Sequence, residues 1–259
     1  MGSNVYLRWI SRLGSLVFVL YMWQSIVSYL EIKSYIVPLP TEVLDRLITG
    51  FEKGYLFKHT YATAQEIVVG YIAGVSLGLI LGIVISQYKF VDQLVYPYIV
   101  AFNSVPRIAI SPLIVIWFGT GLQSKAIIAA LVSFFPLLIS VIVGLKAVDV
   151  EQLQLMRSLK ARKWQTFRTV IFPNALPSIF GGLEIAIVLA VVGAIVGEFM
   201  GASQGLGYYI LFANSRFDTA GMFAAFFILG VLGMILNLSV KLVAKRVVFW
   251  RGIDVIAGG

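Results

Sequence analysis

Arg107 and Asn103 are the residues of this sequence whose types and spacing offer a binding chemistry inside an apolar stretch. They are about one helical turn apart, and Pro106 and Pro112 interrupt the same stretch. Proline leaves backbone carbonyls without their usual donors, and a guanidinium binds carboxylates and sulfonates through charge-assisted hydrogen bonds. The pattern predicts that Asn103, Ser104 and Arg107 line a path for an anionic or polar solute.

Acidic residues elsewhere supply an alternative for Arg107. A charge at bilayer depth is costly and usually pairs with a partner or faces a cavity. Arg107 would then form an internal ion pair with Glu184 or Glu198. Glu198 ends an apolar run and is open to two interpretations, a gate residue of the path or a carboxylate paired within the bundle. Glu66 is expected to pair or to extend its carboxylate to the membrane surface.

Phe134 and Phe135 could stack on a ring-bearing solute, although packing is the commoner use of such residues. Enzymatic chemistry is not predicted. The chain has no Cys, and its single His59 lies in a polar stretch and is interpreted as having no function. The sequence also lacks a Gly-x-x-x-x-Gly-Lys-Ser/Thr phosphate loop. We therefore expect no catalytic residue, no metal and no bound cofactor.

The composition indicates a membrane protein. Hydrophobic residues make up 59% of the chain and charged residues 12%, whereas soluble domains are about 25% charged. The net charge of +8 could suggest nucleic acid, but the basic residues lie in the gaps between apolar runs. That distribution is typical of membrane topology, so lipid rather than nucleic acid is the expected surrounding.

Six apolar runs are long enough to cross a bilayer, which needs about 20 helical residues. They are residues 9–30, 60–86, 93–118, 124–147, 176–200 and 220–244. The first run is too long for a signal-peptide core, and no small-x-small cleavage site follows it, so we interpret it as a retained span. The expected fold class is an all-α polytopic membrane helix bundle with about six transmembrane helices.

The distribution of Lys and Arg predicts the orientation. If the N-terminus is cytoplasmic, thirteen of the nineteen basic residues in the connections lie inside and six outside. The positive-inside rule therefore places both termini in the cytoplasm. It also makes residues 148–175 a cytoplasmic loop.

Two runs carry glycine at a spacing of four, which lines one helix face and favours close helix packing. A smooth face of this kind could also let helices slide. The glycines are Gly70, Gly74, Gly78 and Gly82 in one run and Gly193, Gly197 and Gly201 in the other.

The loop at 148–175 has the features of an element that contacts a soluble partner. Asp149 and Glu151 suit the N-terminus of a helix. Leu153, Met156 and Leu159 follow at helical spacing, which predicts a short amphipathic helix near 151–163. Pro173 is expected to stop any helix before the fifth span.

The same loop resembles the signature loop of binding-protein-dependent ABC importer permeases. The match lies in Gln154-Leu155-Met156-Arg157-Ser158-Leu159-Lys160 followed by Val170-Ile171-Phe172-Pro173. The family's usual Glu-Ala-Ala is Gln-Leu-Met here, and its usual Gly is Lys160, so an altered helix end is expected. The resemblance implies an ATPase-coupling loop made of Glu151, Gln154, Leu155, Met156, Leu159, Lys160, Ala161, Arg162 and Pro173.

Three further stretches are similar to the nitrate, sulfonate and taurine branch of this family, which includes permeases for thiamine precursors and riboflavin. They are Ser104–Leu113 with Trp117–Gly121, Ser158–Gln165 with Pro173–Pro177, and Gly197–Met200 with Gly205–Gly207. The resemblance implies the type I ABC importer permease fold and places Glu198 near the external gate. The resemblance also implies three parts of the chain: an N-terminal transmembrane helix with an external loop at 1–59, the permease core at 60–245 and a cytoplasmic tail at 246–259.

The family resemblance also implies partners and a location. The partners are two cytoplasmic ATPase subunits that bind ATP, a second permease copy or paralogue, and an extracytoplasmic solute-binding protein; the location is the bacterial inner membrane. A secondary transporter driven by an ion gradient is the competing hypothesis, but it leaves the basic loop unexplained. A membrane enzyme would need an acid–base set that the sequence does not offer.

Overall fold

The computed structural model describes residues 3–250, without the side chains of 3–10, 12, 13, 89, 100, 103 and 104. This part of the chain is all-α. Its helices are α1 Ser3–Tyr29, α2 Pro40–Glu52, α3 Tyr55–Gln87, α4 Lys89–Ser104, α5 Ser111–Phe118, α6 Leu122–Lys146, α7 Val150–Ser158, α8 Lys163–Thr166, α9 Phe172–Gly201, α10 Leu206–Ser215 and α11 Thr219–Val247. The expected tail at 246–259 lies outside the described residues from position 251 onward.

Four helical stretches are long and apolar enough to cross a membrane, and they confirm the second, fourth, fifth and sixth predicted spans. They are Tyr55–Gln87, Leu122–Lys146, Lys163–Gly201 and Thr219–Val247. The first predicted span, 9–30, corresponds to α1 apart from its last residue, and the described apolar part of this helix is Gly14–Tyr29.

The prediction of one continuous span at 93–118 is wrong. The chain forms α4, then a 3-10 turn at Arg107–Ile110, and then α5. Pro106 forces the preceding residue out of the helical region, and Val105 is extended with φ −76° and ψ 133°. Pro112 lies in the first turn of α5, where its missing N–H has no partner to lose.

The expectation that Pro173 stops the helix is also wrong. α8 continues through a π-helical segment, Phe167–Ile171, directly into α9. In this wider turn the amide of Phe172 donates to the carbonyl of Phe167, five residues back. The extra residue gives the proline ring the room that an α-helical turn would deny it.

The core forms where α6 packs between α3 and α9. The four predicted glycines of α3 are buried, and a Cβ on Gly70 would lie 2.6 Å from the carbonyl oxygen of Ala126 in α6. From the other side, a Cβ on Gly193 of α9 would lie 2.8 Å from Cα of Ala129. Small residues thus allow three backbones to approach closely, as predicted from their spacing.

The bundle has two ends. One carries α2, α10 and the starts of α3, α6 and α11, and we call it the α10 end. The other carries α7, α8 and the ends of α3, α6 and α11, and we call it the α7 end.

Candidate functional site

Arg107 lies in the break between α4 and α5, against the middle of α6. Its guanidinium carbon is 4.9 Å from the centroid of the Phe135 ring, a cation–π distance. Phe134 meets Phe135 edge to face, with centroids 4.9 Å apart. The structure therefore brings three predicted path residues together. The side chains of Asn103 and Ser104, at the end of α4, lie outside the described part of the chain.

The carboxylates considered as partners of Arg107 contact other groups. Oε2 of Glu184 lies 3.8 Å from Nζ of Lys241. Gly197, next to Glu198 in α9, packs against Lys125, which is ten residues before Phe135 along α6, a separation of about 15 Å. Among the described contacts, neither carboxylate forms an ion pair with Arg107, whose guanidinium lies over an aromatic ring.

Glu198 belongs to a polar cluster at the α10 end that caps α10. The first four amides there, residues 205–208, all donate to side chains from other helices. The amide of residue 205 donates to Nδ1 of His59 at 3.1 Å, and the amide of residue 206 donates to Oγ1 of Thr63 at 2.8 Å. The amides of residues 207 and 208 both donate to Oε2 of Glu198. Oγ1 of Thr63 in turn donates to Oε1 of Glu198 at 2.6 Å. The orphan donors of a helix start are thus fully satisfied by α3 and α9.

Two further buried charged residues, Glu66 of α3 and Lys125 of α6, belong to the same cluster. Glu66 and Lys125 are each 4% exposed, and Glu198 is 1% exposed. Nζ of Lys125 lies 3.8 Å from Oε1 of Glu66 and donates to the carbonyl of Thr120. Buried charges persist only when they are paired and hydrogen-bonded, because desolvation is costly. The cluster therefore ties α3, α6 and α9 to the start of α10.

Sequence reasoning missed most of this cluster. The sequence pattern gives His59 no function and places Lys125 in a connection, yet both residues lie inside helices. One available signal was the spacing of His59, Thr63 and Glu66, which places them on one face of α3. That face continues into the glycine stripe that begins at Gly70. In the described ranges, no group of three His, Asp or Glu residues could hold a metal ion.

Two open depressions flank an ion pair at the α10 end. Nε of Arg46 lies 3.2 Å from Oδ1 of Asp218. Both residues line both depressions, whose volumes are about 660 and 630 Å³. Arg216 also lines both, and its guanidinium carbon is 4.2 Å from the centroid of the Phe212 ring. This surface is rich in cations and aromatic rings.

At the α7 end, α7 stops at Ser158, earlier than predicted, with Lys160 in the left-handed conformation at φ 52°. The amide of Lys160 donates to the carbonyl of Arg157 at 2.9 Å, and the amide of Ala161 to that of Met156 at 3.0 Å. This is the Schellman pattern, which usually has glycine at the left-handed position. Lys160 thus takes the left-handed position at which this turn usually has glycine.

The predicted coupling residues surround this turn. Leu155 and Leu159 are 60% and 67% exposed, and Met156 is half-buried. Glu151, Gln154, Lys160 and Arg162 are exposed, whereas Ala161 and Pro173 are half-buried. Two hydrogen bonds order the loop, one between the side chains of Asn174 and Gln152 and one from the amide of Arg162 to Oε1 of Gln165 at 2.7 Å.

We expect Lys160→Gly to stabilise the end of α7. A left-handed non-glycine residue costs roughly 1–2 kcal/mol, which glycine removes. A gain of roughly 1 kcal/mol slows local amide exchange about fivefold. The rate of amide hydrogen exchange at residues 159–161 measures this gain in local stability. Lys160→Ala is the control, since it removes the charge but keeps the strain and should exchange as the parent does. Equal or faster exchange in the glycine variant would show that the lysine is not strained.

Comparison with curated proteins places this chain among ABC transporter permeases. It is 34% identical over 217 residues to the formylaminopyrimidine transport permease protein ThiX of Halalkalibacterium halodurans, covering 84% of this chain and 86% of that protein. It is 34% identical over 237 residues to the riboflavin transport system permease protein RibX of Chloroflexus aurantiacus, covering 92% and 88%. Identity to the taurine transport system permease protein TauC of Escherichia coli is 29%, covering 93% and 89%.

Solved structures and a family match agree with these relatives. The fold is similar to that of a chain in inward-facing structures of the MetNI methionine ABC transporter, with a TM-score of 0.64, 19% identity, and coverage of 73% of this chain and 94% of that one. Residues 74–249 match the family described as the inner membrane component of binding-protein-dependent transport systems. These matches do not favour a secondary transporter. The chain therefore belongs to the binding-protein-dependent transport system inner membrane component family, as an integral inner-membrane permease subunit of an ABC importer with the type I fold.

Proposed function

We propose that this chain forms, with a second permease subunit, the translocation path for a small polar or anionic solute. An extracytoplasmic binding protein delivers the solute, and two cytoplasmic ATPase subunits bind and hydrolyse the ATP. The observation that carries the proposal is the exposed apolar surface of α7. Leu155 and Leu159 lie at the end of the bundle, on a connection that carries Arg157, Lys160, Arg162 and Lys163. Within residues 3–250, no other part of the chain covers them: Leu155 is 60% and Leu159 is 67% exposed.

A soluble partner accounts for this surface. Fully burying a leucine is worth roughly 1.5–3 kcal/mol, so two exposed leucines are a strong anchor for a protein groove. The basic residues around them would steer an acidic partner surface. At the opposite end, the depressions that flank Arg46 and Asp218 offer cations and rings where a solute-binding protein would dock.

The solute class is supported by the chemistry around Arg107. A guanidinium binds sulfonate or carboxylate oxygens with two parallel hydrogen bonds, and it also stacks on planar rings. The relatives are named for formylaminopyrimidine, riboflavin and taurine, which are heteroaromatic or sulfonated. A path lined by Arg107 and Phe135 suits either chemistry.

We expect Arg107→Ala to reduce solute uptake while the protein still inserts and assembles. Loss of a hydrogen bond to a charged group costs about 1.5–3 kcal/mol, which corresponds to a drop of about tenfold or more. Uptake of labelled taurine, riboflavin or formylaminopyrimidine in cells is the measurement. Arg107→Lys is the matched control for charge, and partial recovery is expected because lysine cannot stack or bind in a fork. Failure of the alanine protein to assemble would assign Arg107 to structure.

The orientation can be tested because the chain has no native cysteine. We expect a cysteine in place of Lys160 to be protected from a membrane-impermeant thiol reagent added to intact cells. A cysteine in place of Lys53, near the start of α3 at the other end of the bundle, should react. The positive-inside distribution is the physical reason. External labelling at position 160 would reverse the topology.

A further inference from the structure

α2 is a short helix with three distinct sides. Its thirteen residues extend about 20 Å, too little to cross a hydrocarbon core of about 30 Å. Val43 and Gly50 are buried against the protein, whereas Leu44, Ile48 and Phe51 are 56%, 51% and 47% exposed. The last three recur at helical spacing and share one face. Such a helix suits the boundary between membrane and water.

The polar side of α2 is fastened to the start of α11. Arg46 lies opposite Leu44 on the helix, and its Nε is 3.2 Å from Oδ1 of Asp218. Asp218 is the N-cap of α11 and accepts from the amide of Gly221 at 3.1 Å. The polar side therefore faces the end of a membrane-crossing helix, and the exposed apolar face points away from that side.

An apolar groove lies between α2 and α11. It has a volume of about 300 Å³, at the lower end of the range of about 300–1,000 Å³ for ligand pockets. Its walls include Leu47 and Phe51 of α2, Thr60 of α3, and Phe227, Val231 and Ile235 of α11. The hydroxyl of Thr60 donates to the carbonyl of Leu56 at 2.7 Å, so it is already satisfied. Water would find few partners in such a groove.

The groove runs down the side of α11 into the membrane. Phe227 and Ile235 lie about 12 and 24 Å from Thr219 along the helix axis. The neighbouring side chains of Phe226, Leu238 and Leu242 are 49%, 49% and 63% exposed, so the groove is continuous with an exposed apolar surface of α11, a helix long and apolar enough to cross a membrane. Left unfilled, its walls would lose dispersion contacts.

We propose that this α2–α11 groove binds one acyl chain of a phospholipid from the leaflet at the α10 end, with α2 at the membrane boundary above it. The apolar lining, the satisfied hydroxyl, the depth along α11 and the continuity with the exposed apolar surface of this membrane-crossing helix all fit a hydrocarbon chain. A helix from a second copy of the protein is the competing occupant. This proposal does not depend on which solute is transported.

A photo-crosslinkable phosphatidylcholine, with a diazirine in one acyl chain, tests the site. The full-length protein, with its co-purifying subunits, is reconstituted with this lipid, extracted, washed free of loosely bound lipid and then irradiated. We expect cross-links in the peptides that contain residues 47–51 and 227–235. Val231→Trp fills the groove and should abolish them. Leu238→Trp, which introduces the same side chain on the exposed surface of the same helix but outside the groove lining, should leave them intact.

Leu47→Trp narrows the groove from the opposite wall. The same cross-linking measurement on this variant replaces the first one if gel filtration shows that Val231→Trp is poorly folded. Loss of cross-links in either folded variant supports the proposal. Undiminished cross-linking in a folded groove-filling variant overturns it. A disulfide between two copies that carry cysteine in place of Val231 would also overturn it, because a second protein helix would then occupy the groove.

Discussion

Replacing both Leu155 and Leu159 by aspartate is expected to abolish the ATP hydrolysis that the solute-binding protein stimulates. Both leucines are more than half exposed in the isolated chain, and each would bury against an ATPase subunit. Losing roughly 1.5–3 kcal/mol at each position weakens association at least about tenfold per residue. Co-purification of the ATPase and stimulated hydrolysis by the reconstituted complex are the two measurements. Both should collapse, while the permease still inserts in the membrane.

The matched control replaces the same two leucines by methionine, which keeps the volume and the apolar character. This variant should retain most of the coupling. If the aspartate variant still co-purifies and is still stimulated, α7 is not the element that transmits force between the subunits.

Gly205→Ala is expected to be the most damaging single substitution at the α10 end. Gly205 has φ +116° and ψ 161°, a region that only glycine occupies readily, and a Cβ there would overlap the carboxyl group of Glu198. Backbone strain of about 1–3 kcal/mol adds to a similar cost for each of the two amides that would lose Glu198 as acceptor, so the total is about 3–9 kcal/mol. The recovery of folded protein in detergent and its midpoint of thermal aggregation report the loss.

Gly119→Ala is the matched control for Gly205→Ala. Gly119 has a similar backbone, with φ +77° and ψ −177°, but a Cβ there would meet no atom within 4 Å. Only the strain of about 1–3 kcal/mol applies, and the protein should remain recoverable. Equal damage by the two substitutions would mean that strain, rather than the collision with Glu198, dominates.

The long helices could be predicted because apolar runs of crossing length are unambiguous and because glycine at a spacing of four predicts close packing. The two errors both concern proline. At Pro106 the α-helix ends, whereas at Pro173 a π-helical turn accommodates the proline ring and the helix continues. A sequence reports that a proline is present, but the surrounding backbone decides whether an extra residue is available to accommodate it.

The candidate sites were less predictable, since they depend on contacts between distant parts of the chain. The exposed leucines of α7 could be expected from a local amphipathic pattern. The cap of α10 could not, because His59, Thr63 and Glu198 meet only in the folded bundle. Lys160 shows a further limit, since its residue type gives no sign that it takes the left-handed position at which a Schellman turn usually has glycine.

The cap of α10 also has a consequence for biogenesis. Thr63 and Glu198, which hold the start of this helix together, are 135 residues apart. At about 5–20 residues per second, the ribosome needs about 7–27 s to synthesise the interval between them. During that time His59 and Thr63 of α3 are already made, while Glu198 and the amides of residues 205 and 206 do not yet exist. A nascent chain that stalls before residue 198 would expose His59 and Thr63, which gives membrane quality control a feature by which to detect an unfinished molecule.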